Sequence, residues 1–238
     1  MKRVVRLSVD IALAASFVVM LATALVQKAP HEWLGMATFL LFAIHMVFNR
    51  RRWMRGRRSG WTPARVALTV LDVALVGCML GQIISCLVLS EYVFGWLPAI
   101  QGASWARTVH LLCSYWGFVL VSVHAGLHLQ QMMRKSLHNK AIVRAIRVLC
   151  FALSLFGVIS FVQLGLFDYM FLRRQFVFAD FSIPLWQSLV RYLSVGIMFA
   201  SIAHYAQTLA SRLGKKRRHE ESFTASKKTD ECTTDEEV

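Results

Sequence analysis

Residues 105–129 read WARTVHLLCSYWGFVLVSVHAGLHL. The stretch is apolar apart from Arg107 and three histidines. It is long enough to cross a ~30 Å hydrocarbon core as a helix, which takes about 20 residues. Five other stretches match it, at 7–27, 31–49, 66–90, 142–166 and 184–210. The expected fold is therefore all-α, an integral membrane bundle of six transmembrane helices. Composition agrees, since 56% of residues are hydrophobic and 17% charged, against roughly a quarter charged in soluble domains.

The formal charge of +14 raises the question of nucleic acid, and its placement answers no. Of the 27 lysines and arginines, three precede the first span (Lys2, Arg3, Arg6). Seven lie at 50–65, five at 134–147 and seven from Arg212 onward. In a six-span topology all of these segments fall on one side. The positive-inside rule makes that side the cytoplasm, with both termini cytoplasmic. The run from Arg50-Arg51-Arg52 through Arg57-Arg58 can also touch anionic lipid or an acidic partner, but a topology signal accounts for it.

Met1-Lys2-Arg3, an apolar stretch and Ala22-Thr23-Ala24 resemble a secretory signal. The stretch is long for a signal core and more spans follow it, so a retained helix is expected. The cysteines form no disulfide framework. Cys78, Cys86, Cys113 and Cys150 lie inside spans as small packing residues, and Cys232 lies in the tail. There is no C-x-x-C-H for covalent haem attachment. Tryptophans 33, 53, 61, 96, 105 and 186 lie near span ends, as an aromatic belt does.

The connection at 50–65 carries Gly56, Gly60 and Pro63 and reads as turn-rich. The connection at 91–104 carries Gly95, Pro98 and Gly102. The one at 167–183 carries Arg173 and Arg174. Residues 213–238 are polar, and a disordered tail is expected there.

Histidine placement is the most informative feature. His31 and His45 lie on the second span; His110, His124 and His128 lie on the fourth. His31 to His45 and His110 to His124 are both separated by 14 residues. Fourteen residues turn about 1400°, within ~40° of four full turns, and rise ~21 Å. Each pair shares a helix face, with one member near each membrane boundary. Both helices cross in the same direction, so His31 can face His110 at the outer level and His45 can face His124 at the inner level. Two haems, each held by two neutral imidazoles, need this arrangement. With both axial positions filled, no site stays open for oxygen, and electron transfer is the expected role.

Alternatives attach to several of these residues. His128 also lies on the His110 face, five turns away. It is a rival inner ligand, a propionate partner or part of a quinone site; His124 is preferred because its spacing matches the second span. Gly35, one turn from His31, and Gly117, midway between His110 and His124, would leave room for a flat macrocycle, though glycine also serves helix packing, as Gly77-x3-Gly81 could. Arg107, one turn before His110, either pairs with an outer propionate or is an interfacial arginine. Asp72 lies deepest of the acids; with Glu32 and Glu91 it is a candidate proton carrier. Asp72 could equally pair with a histidine or arginine near the cytoplasmic side.

At these residues the chain resembles the two-haem b-type membrane cytochromes, which include hydrogenase cytochrome subunits and ferric reductase membrane domains. It is most similar to the bacterial flavinylation-associated cytochromes. The similarity is carried by His31-Glu32-Trp33-Leu34-Gly35, His45 with Asn49-Arg50-Arg51, Ser90-Glu91-Tyr92-Val93-Phe94, and His110-x4-Tyr115-Trp116-Gly117-Phe118 followed by His124-x3-His128. It covers about residues 5–135, leaving 136–212 as two further spans. The resemblance implies a four-helix core with two non-covalent b-type haems and transmembrane electron transfer. It also implies an extracytoplasmic flavoprotein partner, with quinol or a cytoplasmic reductase as donor. Competing classes are a metal or proton-coupled transporter and a haem-free membrane anchor for a redox enzyme.

Overall fold

The computed structural model describes residues 2–23, 28–58, 63–96, 104–136, 140–175 and 183–234. The chain forms helices α1 (Lys2–Thr23), α2 (Lys28–Arg58), α3 (Pro63–Leu89), α4 (Ser104–Ser136), α5 (Lys140–Gln163), α6 (Leu166–Met170) and α7 (Leu185–Thr234). Six of them contain apolar windows long enough to cross a membrane: Val4–Ala22, Lys28–Arg50, Arg65–Leu89, Ser104–His128, Lys140–Gln163 and Leu185–Gly214. Aliphatic and aromatic side chains stand open along these spans, among them Leu40, Val70, Phe151, Leu209 and Val162, the last 73% exposed. Such an apolar circumference suits lipid and not water. The protein is a multi-pass helical membrane protein.

Prolines mark helix starts. Pro63 opens α3 and Pro30 lies in the first turn of α2, where a missing N–H breaks no helical bond. Pro184 directly precedes α7, and its carbonyl accepts the Gln187 N–H at 2.9 Å. Gly165, at φ 60°, breaks the chain between α5 and α6. Only glycine adopts that left-handed backbone without strain.

Three boundaries differ from the sequence reading. Helix α2 runs through Arg58 rather than turning at Arg50, because arginine and methionine are strong helix formers. The connection after the fifth span opens with the short helix α6. The polar stretch from 213 continues α7 to Thr234 where disorder was expected; its lysines, arginines, glutamates and alanine favour helix, and propagation from an existing span is easy. Residues 59–62, Pro98, Gly102 and 235–238 lie outside the described residues.

Helices α1–α4 form a square. Helix α1 packs on α2, α2 on α3, α3 on α4, and α4 on α1. Among the described residues there is no close backbone approach across either diagonal, α1 to α3 or α2 to α4. Helices α5 and α7 pack together, and α7 covers α4 and α1. Helix α4 is the most enclosed span, with 33% of its window buried against 11% for α1, α2, α3 and α5.

The tight core lies outside the square. It joins Tyr115, Phe118 and Val119 of α4 to Leu166, Tyr169 and Met170 of α6 and to Tyr192, Val195 and Met198 of α7. Tyr115 stacks on Tyr169 at 4.9 Å and hydrogen-bonds Tyr192. The Trp116 indole donates to the Met170 carbonyl at 2.8 Å. Two glycines allow close helix contact here: a Cβ on Gly126 would strike the Ala200 carbonyl, and one on Gly157 the Ser194 carbonyl.

Candidate functional site

The four-helix square contains all five histidines singled out from the sequence. The end of the square that holds His31 is termed upper here. The end that holds Asp10 and the strongly basic segments is termed lower. All five side chains are half-buried.

At the upper level His31 and His110 face each other across the α2–α4 diagonal. Their ring centres are 6.3 Å apart. Two imidazoles on opposite sides of one metal, each about 2.0 Å from it with the ring centre about 1.2 Å behind the nitrogen, would place their centres about 6.4 Å apart. The observed separation is close to that distance. His110 Nδ1 lies 3.3 Å from Ser85 Oγ, and the Ser85 hydroxyl itself donates to the Gln82 carbonyl at 3.0 Å. Ser85 is thus left to accept from Nδ1–H, and His110 Nε2 carries the free lone pair. Gln82 ties α3 to α4 beside this ring, donating to the His110 carbonyl at 3.0 Å and to Ser114 Oγ at 2.6 Å. His31 Nδ1 is buried without a hydrogen-bond partner.

Glu32, the next residue, is locked into the fold. Its carboxylate accepts the Ser90 hydroxyl at 2.6 Å and the backbone N–H groups of Glu91, Tyr92 and Val93 at 2.9–3.0 Å. Lys28 pairs with Glu91 at 2.8 Å. These contacts bolt the upper start of α2 to the upper end of α3. Glu32 and Glu91, candidates for carrying protons, are thus joints between helices. Arg107 stands exposed one turn above His110.

The start of α2, the end of α3 and the start of α4 meet at this level, so α2 and α4 run parallel. Fourteen residues further down, His45 and His124 share the lower level. Each has a carboxylate: His45 Nδ1 lies 2.7 Å from Asp10 Oδ1 on α1, and His124 Nδ1 lies 3.0 Å from Asp72 Oδ1 on α3. Of the two uses open to Asp72, the structure brings it to a histidine. At His45 the acceptor at Nδ1 leaves Nε2 as the donor atom for a metal; the His124–Asp72 approach is an ion-pair contact in which neither facing atom makes a hydrogen bond. Asn49 packs below, donating to the His45 carbonyl at 3.1 Å. His128 lies one turn beyond His124, with ring centres 4.6 Å apart.

The two glycines within the square differ from those outside it. A Cβ on Gly35 would meet only Met20 at 3.5 Å, and one on Gly117 only Phe17 and Cys78 at 3.6–3.7 Å. These are ordinary contact distances, so helix packing alone does not demand glycine at either position. Of the Gly77-x3-Gly81 pair, a Cβ on Gly81 would fall 2.6 Å from Cys113 Sγ, while one on Gly77 would meet nothing within 4 Å.

Asp10, Ser85 and Gln82 did not stand out in the sequence. A carboxylate inside an apolar span is a signal in its own right, and Asp10 carries it as Asp72 does. Ser85 and Gln82 carry no such signal. No family model matches the chain, and neither curated proteins nor solved structures show significant similarity to it.

Proposed function

We propose that this chain is a two-haem b-type cytochrome of a bacterial inner membrane, with both termini cytoplasmic, that passes electrons across the bilayer. The observation that carries this reading is the His31–His110 pair at 6.3 Å across the α2–α4 diagonal, with His45 and His124 each fourteen residues further along the same two helices. His31 and His110 would hold the upper haem, and His45 and His124 the lower. A bound haem supplies reversible one-electron chemistry at iron.

The chain's own residues do the rest. Ser85 and Asp10 would accept Nδ1–H from His110 and His45 and hold those two rings, and the Asp72 carboxylate stands 3.0 Å from His124 Nδ1. Gly35 and Gly117 leave a flat group room beside the helices. Arg107 suits a propionate at the upper boundary. The apolar circumference keeps water from the levels between. Asp72 reaches His124, which favours His124 over His128 as ligand. An extracytoplasmic flavoprotein would meet the upper end, and a quinol or a cytoplasmic reductase the lower.

Protein purified from haem-replete cells is expected to show a dithionite-reduced b-type spectrum with about two haems per chain. His45→Ala and His124→Ala should each lose one haem, and His128→Ala neither. Colourless protein would overturn the reading. Haem lost in His128→Ala but kept in His124→Ala would reverse the ligand assignment.

The two carboxylate–imidazole pairs favour a second reading, a proton-coupled transporter. Solute uptake by proteoliposomes of haem-free protein would establish it.

A further inference from the structure

The two levels of the square treat their imidazoles differently. At the lower level both rings meet a carboxylate, His45 with Asp10 and His124 with Asp72. At the upper level His110 Nδ1 lies 3.3 Å from the neutral Ser85 hydroxyl; His31 Nδ1, like His124 Nδ1 below, makes no hydrogen bond among the described residues. The one carboxylate beside the upper pair, Glu32, is turned to Ser90 and three backbone N–H groups.

We propose that Asp10 and Asp72 are positioning residues that hold the lower haem at a lower reduction potential than the upper one, so that electrons run from the basic end of the bundle toward the His31 end. This rests on the two-haem reading above. A carboxylate that accepts Nδ1–H pulls the imidazole toward imidazolate and makes Nε2 a stronger donor. The stronger donor and the nearby negative charge both favour ferric over ferrous iron. Two carboxylates contact the imidazoles of the lower site, whereas at the upper site the Glu32 carboxylate beside His31 is taken up by Ser90 and three backbone N–H groups.

Other charges near the lower level do not cancel this. Arg6 on α1 and Arg50 on α2 are exposed, so water and ions screen them; Asp10 is also exposed, but it touches the ring itself, 2.7 Å from His45 Nδ1. Arg65 on α3 lies about two turns before Asp72. The electron count is simple. One electron leaves ferrous iron at the lower level, which becomes ferric, and reduces ferric iron at the upper level. No bond breaks, and no proton moves.

The test is a potentiometric titration of the haem-loaded full chain, followed by absorbance. Two one-electron waves are expected. Asp10→Asn and Asp72→Asn keep an oxygen to accept Nδ1–H but remove the charge. Each should raise the low-potential wave by at least tenfold in equilibrium constant, about 59 mV for one electron, and leave the high-potential wave in place. The single-haem variants fix which wave is which without touching the carboxylates. His31→Ala should retain the low-potential wave and His45→Ala the high-potential one.

The reverse assignment in these alanine variants would overturn the proposal. So would waves that stay put in both asparagine variants. Wild-type protein that binds no haem fails the two-haem reading itself. Two bound haems whose potentials ignore the carboxylates fail only this inference.

Discussion

The two faces of α4 are built on opposite rules. One face carries Tyr115, Phe118 and Val119, which are almost fully enclosed by α6 and α7. The other carries His110, Gly117 and His124, which look into the square formed with α1, α2 and α3. On the first face glycine is demanded by a backbone carbonyl within contact, as at Gly126. On the second, Gly117 has ordinary room around it, and polar atoms such as His31 Nδ1 stay unmatched. A protein interior is normally close-packed with its polar groups satisfied. The packed face meets that standard with protein atoms alone. The histidine face leaves buried nitrogens such as His31 Nδ1 and His124 Nδ1 without a protein partner.

Substitutions that treat the two faces alike should therefore give unlike results. The largest effect is expected from Phe118→Ala, which empties a ring that is 1% exposed. It should cost about 3–5 kcal/mol, read as a lower thermal midpoint in detergent, while the protein that folds keeps two haems. Were haem lost as readily as stability, the two faces would not be separable.

Next comes a matched glycine pair. Gly126→Ala forces α4 away from Ala200 and should cost about 1–3 kcal/mol. Gly117→Ala should leave the thermal midpoint of haem-free protein within about 0.5 kcal/mol but weaken haem retention, measured by transfer to apomyoglobin. Equal destabilisation of the haem-free protein by both would show that Gly117 serves packing alone.

The smallest effect belongs to the joint that closes the square. Glu32→Gln removes the charge that receives the 91–93 amides and should loosen them by about 2 kcal/mol. Amide exchange there should quicken roughly thirtyfold, with the packed face unchanged. Exchange that stays slow would mean the turn holds itself.

The spans were legible because hydropathy reports depth in lipid, and each of the six expected stretches overlaps a spanning window. Helix ends were less so. Arg51–Arg58 of α2 leaves the apolar window but not the helix, since charge sets position across a membrane while propensity sets helix length. The histidine ladder was visible because 14 residues is close to four turns, a local property of one helix. Asp10 was not recognised as a partner of His45, which is 35 residues away. Ser85, 25 residues from His110, is likewise placed by the packing of α3 on α4.

The amino-acid order by itself thus determined the six spans, their charge asymmetry and the equal histidine spacing, because each follows from transfer of a short segment into lipid or from helical pitch. Only the tertiary structure decided that α2 and α4 stand diagonally, that Glu32 is a joint, and that the lower histidines have carboxylates where the upper pair has none. Those outcomes depend on which faces of separate helices meet, and ring centres 6.3 Å apart are set by packing between helices that no single helix encodes.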